Sequence, residues 1–315
     1  MLEQPGPLER LLAEVQRAER VVLLGDIVEL VESRAANALT RARPILDAIG
    51  QRLGRDGEIV LVPGNHDRSL IRGWLRHSAH SLEPATVVPK DASPVLEQVV
   101  GWLGGKRVTV SYPGVWLGER IWATHGHYLD RHLIPVANWG RLRGRRGALP
   151  DDTGRAADYE RLGRGPVGSL IRWLPGPVAD GLDALGAYAR ATTMPAIQQG
   201  VLDPRFAPLT STLLSLQMRR HALPALARVV RRLRVEAEWV VFGHVHRLGP
   251  LDGDDPAQWQ GPEDGPMFVN TGSWMYEPRL VHRAAPPHPY WPGGAVVLEE
   301  GRPPRAVGLL DDLSF

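Results

Sequence analysis

Four short clusters gather the residue types that bind metal ions: Gly25-Asp26, Gly64-Asn65-His66-Asp67, His125-Gly126-His127 and Gly243-His244-Val245-His246. Carboxylate and amide oxygens beside imidazole nitrogens suit Mn, Fe, Zn or Ni at neutral pH. The chain has no cysteine, so thiolate zinc sites, thiol nucleophiles and disulfides are excluded together, and any ion must be held by oxygen and nitrogen. His244 and His246 alternate along an extended segment, which turns both rings to one side, as ligands require. His125 and His127 share that spacing, and His127 is open to a role behind the ligands or facing a substrate. Taken singly, Gly25-Asp26 also reads as a strand-to-turn exit, and Asn65-His66-Asp67 as a tight turn whose side chains bond their own backbone.

Each cluster follows an apolar run: VVLL before Gly25, IVLVP before Gly64, IWAT before His125 and WVVF before Gly243. Short apolar runs closed by glycine or proline read as buried strands, and loops beyond the carboxyl ends of strands in α/β folds share a crevice. The spacing therefore predicts strands at Val21 to Leu24, Glu58 to Val62, Arg107 to Ser111, Arg120 to Thr124, Trp239 to Phe242, Met267 to Asn270, Ala295 to Leu298 and Ala306 to Leu310. A turn at Tyr112-Pro113-Gly114 is expected between the third and fourth. Helices are expected over Leu8 to Arg17 and Ala35 to Leu53, the latter interrupted or bent near Pro44. From about 129 to 235, helical periodicity and scattered prolines point to a helical insertion that splits an α/β core. The whole chain, 1–315, reads as one domain carrying that insertion.

In this order the motifs G-D-x-x-E (Gly25 to Glu29), G-N-H-D, H-G-H and G-H-x-H resemble the calcineurin-like metallophosphoesterases, whose pattern is D-x-H, G-D-x-x-D/E, G-N-H-D/E, H and G-H-x-H. The resemblance spans Gly25 to His246. It implies a four-layer sandwich of two β-sheets flanked by helices, and two divalent ions, manganese first and iron, zinc or nickel as alternatives. Asp26 resembles the carboxylate that bridges both ions. Asn65, His125 and His244 resemble the other ligands of the second ion, and His246 would serve the first. His66 resembles the histidine that meets the scissile phosphate and assists the leaving oxygen, with Asp67 orienting its ring. The implied reaction is phosphoester hydrolysis by attack of a metal-activated hydroxide. Asn270-Thr271-Gly272-Ser273-Trp274 resembles the N-x-G-S turn that often follows the last histidine motif, as structural support.

The family's opening D-x-H has no counterpart before Asp26. The simplest expectation is a start codon assigned downstream of the first strand, with an in-frame D-x-H encoded upstream. If the chain is natural as written, a single ion is expected, or a catalytically impaired phosphoesterase scaffold that serves as a binding protein. Asp130-Arg131-His132 is the only D-x-H in the chain, and it falls after His125, out of order for that role.

Protein serine/threonine phosphatases of this superfamily carry G-D-x-V-D-R-G and G-N-H-E. Here the corresponding residues are Gly25-Asp26-Ile27-Val28-Glu29-Leu30 and G-N-H-D, so a phosphodiester or pyrophosphate is expected before a phosphoprotein. A helical insertion after His125 is similar to UDP-2,3-diacylglucosamine hydrolases and general bacterial phosphodiesterases, although the former often have arginine where His66 stands. The expected partner is a small phosphorylated substrate, nucleotide- or lipid-linked. Segments around Val167 to Tyr188 mix apolar residues with arginine, a pattern open to a lid, a peripheral membrane contact or ordinary packing.

Of the 37 basic residues only Lys90 and Lys106 are lysines, and the net charge is +2. The charges are dispersed, and no strip of aromatics interleaved with basic residues points to nucleic acid. No apolar run approaches the roughly 18 to 20 residues of a membrane helix, and the amino terminus lacks a basic start followed by an apolar stretch, so a cytoplasmic location is the default expectation.

Overall fold

The structure is a computed structural model that describes residues 1–30, 35–133, 154–161, 204 and 207–315. Helix α1 (Pro5–Arg17) starts on a proline, whose missing N–H costs nothing in a first turn, and buries Leu12 and Val15. Strand β1 (Arg20–Leu23) pairs in parallel with β2 (Glu58–Leu61), and α2 (Ala35–Arg52) links them as a crossover. That helix runs through Pro44 uninterrupted, in place of the break that was one expectation. Helix α3 (Arg72–Ser78), strand β3 (Ala85–Val88) and helix α4 (Pro94–Trp102) follow. Ser93 caps α4 by accepting from the Leu96 N–H at 3.1 Å.

The next strand corrects an expectation. In place of two strands separated by a turn at Tyr112-Pro113-Gly114, one nine-residue strand, β4 (Val108–Trp116), runs through these residues. Val108–Val110 pair with β2, Val110–Pro113 with β3, and Gly114–Trp116 with β5 (Ile121–Thr124). Pro113 lies next to the exchange from β3 to β5, where a residue without an N–H is tolerated. Gly114 is needed there because a Cβ would press into the Ala123 carbonyl and the Trp122 ring. The reversal falls instead at Leu117 to Arg120.

The remaining strands are β6 (Trp239–Phe242), β7 (Leu248–Gly249) and β8 (Met267–Thr271), then an antiparallel pair, β9 (Gly294–Val297) and β10 (Arg305–Gly308). The large mixed sheet has the order β1-β2-β4-β5-β6-β8-β7, with β3 attached to β4. Its core includes Ile59, Leu61, Val110, Trp122, Phe242 and Phe268, all fully buried.

Register explains why loops on two oppositely directed sets of strands meet. β2 lies along the first part of β4 and runs with it; β5 lies along the last part and runs back. The carboxyl ends of β2 and β5 both point toward the middle of β4, near Tyr112. β1 follows β2, and β6 is parallel to β5, so four strands deliver their following loops to one place.

Within the expected insertion the described residues form helices at Asp130–Leu133, Ala156–Arg161, Ala207–Gln217 and Leu223–Arg232, the last two joined by a π-helical turn at Met218–Ala222. Pro224 stands just beyond that turn and cannot donate to the carbonyl four residues back, a known origin of such irregularity. The segment Val167 to Tyr188 lies outside the described residues. Among the described residues no helix is long and apolar enough to cross a membrane.

Candidate metal centre

Asp26, His125 and His244 each place a ligand atom within 4.8 Å of the other two. They come from the ends of β1, β5 and β6. Asp26 Oδ2 lies 3.2 Å and Asn65 Oδ1 3.0 Å from the same atom, His125 Nε2. On its far side the His125 ring donates from Nδ1 to the Leu24 carbonyl at 2.9 Å. A neutral imidazole has one N–H, and His125 spends it on Leu24. Its Nε2 lone pair then faces two oxygens that are themselves acceptors.

Three converging lone pairs repel unless a positive charge sits among them. A second proton on His125, an Asn65 amide turned to present its NH2, or a cation meets that need. Neighbouring ligand atoms around one ion with bonds near 2.1 Å stand about 3 Å apart, which matches both contacts, so the donor set fits a divalent ion. Without one, burial pushes His125 toward neutrality, but the Asp26 carboxylate and the Leu24 carbonyl hold its pKa above the ordinary value. Burial opposes ionisation of Asp26 too, yet the hydrogen bond and charge of His125, with the charge and backbone N–H of His66, keep its carboxyl far below the usual range.

Close approach is made by backbone that few residues adopt. Asp26, His244 and His246 all have left-handed conformations, with φ of 55°, 67° and 59°. Gly25, at φ 86°, sits so near His125 that a Cβ would enter the ring, and a Cβ on Gly64 would enter the Asp26 carboxylate. Asn270 is fully buried and steadies the next loop, its amide donating to the Gly243 carbonyl at 2.8 Å.

Asp67 does not orient His66, contrary to the expectation from the motif. Its carboxylate is fully buried and accepts from the backbone N–H groups of Gly64 at 2.5 Å and Ile27 at 2.9 Å, tying the two loops together. Burial, reinforced by the charge of Asp26, pushes its pKa up to about 6. The carboxylate that meets the His66 ring is Glu29, at 2.6 Å from Nδ1. The reason is geometric: with one oxygen on the Gly64 N–H of its own turn and the other on the Ile27 N–H of the loop after β1, Asp67 has none turned toward the His66 ring. Glu29 was legible as the last letter of G-D-x-x-E, but its role was not.

Comparison with family models and with curated proteins returns no match to this sequence.

The other expected residues divide. His125 and His244 meet Asp26, and Asn65 meets His125, as described. His246 is solvent-exposed beside the cluster, yet desolvation of its ring by the surrounding atoms and the positive charge of His244 lower its pKa, against the pull of Asp26. It therefore shares the neighbourhood of the three-residue group without belonging to it. His127 is half-buried, at a ring-centre distance of 5.6 Å from His125. Its Nε2 lies 3.1 Å from the Tyr112 hydroxyl, whose single proton goes to Glu160 at 2.5 Å. His127 must then be the donor to Tyr112, which leaves its buried Nδ1 as a lone pair without a partner among the described residues.

Glu160, Tyr112, Tyr128 and Arg68 form a largely buried network that no local sequence pattern assembles. Glu160 accepts from both tyrosines and pairs with Arg68, binding the helix Ala156–Arg161 to the residue after Asp67 and to the H-G-H segment. Asp130, from the out-of-order D-x-H, also reaches the site, with Oδ1 at 2.9 Å from His244 Nε2.

Proposed function

We propose that this chain is a metal-dependent hydrolase of phosphoesters, of the calcineurin-like type and with that family's two-sheet layering, acting on phosphodiesters or pyrophosphates in preference to phosphoproteins. The observation that carries the reading is the meeting of Asp26, His125 and His244 from three separate strand ends, with Asn65 against the same imidazole nitrogen. A divalent ion held there supplies Lewis acidity and lowers the pKa of water. Manganese suits the mixed oxygen and nitrogen donors, with iron, zinc or nickel as alternatives. His246 is the donor available for a second ion.

The protein's own groups divide the remaining work. Asp26 stays ionised and brings negative charge to the ion. Glu29 fixes the His66 ring through Nδ1, and in this reading the other nitrogen serves the leaving oxygen. Asp67 keeps the loop carrying Asn65 and His66 locked to the loop carrying Asp26.

A second reading, a scaffold that binds a phosphorylated ligand without turning it over, draws on the finding that one three-ligand group, and not two, stands among the described residues. Metal content after loading with Mn2+, measured beside hydrolysis of bis-p-nitrophenyl phosphate and p-nitrophenyl phosphate, separates the two. The proposal expects metal uptake, preference for the diester, and joint loss of metal and turnover in Asp26→Ala, Asn65→Ala and His244→Ala. Metal uptake with no turnover of either ester favours the scaffold, and a protein that takes up no metal overturns both.

A further inference from the structure

We infer that Asp130 is a positioning residue for the metal centre: its carboxylate holds the His244 ring with hydrogen on Nε2, so that Nδ1 is the nitrogen presented to an ion. The inference rests on the metal-centre reading above. An ionised carboxylate has no proton to give, so the 2.9 Å contact between Asp130 Oδ1 and His244 Nε2 requires the proton on the ring. A neutral ring so bonded has its lone pair on Nδ1 alone. His125 meets the same need in mirror fashion, spending its Nδ1 proton on Leu24 and keeping Nε2 for Asp26 and Asn65. Two ligand rings whose centres stand 5.2 Å apart thus have their tautomers set by different outer partners, one a backbone carbonyl and one a carboxylate.

The chain path makes this arrangement specific. After His125, the left-handed Gly126 (φ 100°) opens a tight turn at His127–Leu129, closed by the Leu129 N–H on the Gly126 carbonyl, and the helix Asp130–Leu133 begins at once. One segment therefore supplies a ligand, His125, and five residues later the carboxylate that aligns a ligand from another strand. The short helix is itself held, since His132 Nε2 meets the Tyr159 hydroxyl at 2.9 Å. His244, on left-handed backbone, takes its ring alignment from this contact.

Asp130 has 48% of its side chain exposed, and its short helix is held independently through His132, so the variants should fold. Zn2+ affinity is measured by calorimetry for the wild type, Asp130→Ala and Asp130→Asn, with nitrogen-detected histidine NMR of the zinc-loaded proteins. Asp130→Ala should weaken zinc by about 10- to 100-fold, the usual cost of losing an outer carboxylate, and Asp130→Asn, which keeps an acceptor oxygen, should lose clearly less. The wild type should show His244 bound through Nδ1 with an exchange-protected Nε2 proton, and Asp130→Ala should lose that protection. Equal affinity in wild type and Asp130→Ala overturns the inference alone, as does a His244 bound through Nε2. Asp130→Asn falling as far as Asp130→Ala overturns it too, by assigning Asp130 to the ion itself. A wild type that binds no zinc fails earlier, at the metal-centre reading, before any substitution is compared.

Discussion

The loops bearing Asp26 and His244 reach the site through left-handed backbone, whereas the loop bearing Asn65 and His66 reaches it through hydrogen bonds. In the first pair, φ values of 55° and 67° on non-glycine residues each cost about 1 kcal/mol or more, and the surrounding packing must over-determine them. In the second, Asp67 spends a buried carboxylate on two backbone N–H groups and keeps φ at −105°. Strained loops place a ligand with few supporting atoms but draw on the stability of the core beneath. The bonded loop carries its own support, at the expense of a charge that must be buried. Mutations should tell these strategies apart.

The largest effect is expected at Gly25. Gly25→Ala meets both the left-handed φ and the His125 ring, so denaturant unfolding of the metal-free protein should show a loss of roughly 3 kcal/mol or more. A loss under about 1 kcal/mol would mean that the β1 loop relaxes freely and that strain is not how Asp26 is positioned.

A smaller effect, on the order of 2 kcal/mol, is expected for Asp67→Asn, because one of two buried N–H donors then faces an amide NH2. The same variant sharpens a pH prediction. Asp67 has a pKa raised from 3.8 to about 6 in the folded protein, so between those values the folded state keeps a proton that the unfolded chain has released. Its contribution is therefore fully present only below the unfolded value of 3.8, is lost as pH rises through about 6, and is flat above that. Subtracting the stability curve of Asp67→Asn from that of the metal-free wild type should isolate this fall. A difference that rises with pH over that window would contradict burial as the dominant influence on Asp67.

What the sequence could disclose follows the same division. VVLL, IVLVP, IWAT and WVVF were legible as strands because strands of a covered α/β sheet read as unbroken apolar runs, even in the half-buried β1, and the observed ends fall within a residue of the expected ones. Tyr112-Pro113-Gly114 misled because proline and glycine in succession signal a turn. The feature that keeps β4 extended there, an exchange of partner strands, is a property of residues far along the chain. β3, as long as β1 and β2, escaped notice because Thr86 interrupts its apolar run and only Val88 of its four residues is buried. The meeting of Asp26, Asn65, His125 and His244 was readable from residue type and place after a strand, whereas the supports were not. Glu29, Asp130, Tyr112 and Glu160 act on side chains 37, 114, 15 and 48 positions away. No local pattern fixes such pairs.

The smallest expected effect is the most discriminating for the strained loops. At an ordinary position glycine is less stable than alanine, since it loses more freedom on folding. At His246, with φ of 59°, the order should reverse: alanine keeps the steric penalty of left-handed backbone, and glycine removes it. His246→Gly should thus exceed His246→Ala in stability by about 1 kcal/mol in the metal-free protein, even though both lose the same imidazole. Because the two variants lack identical donors, metal binding cannot account for the gap, and melting curves taken in chelator read the backbone alone. Alanine equal to or above glycine would mean that the loop takes an ordinary conformation in solution, and the contrast between strained and bonded loops would fail at the residue where it is easiest to measure.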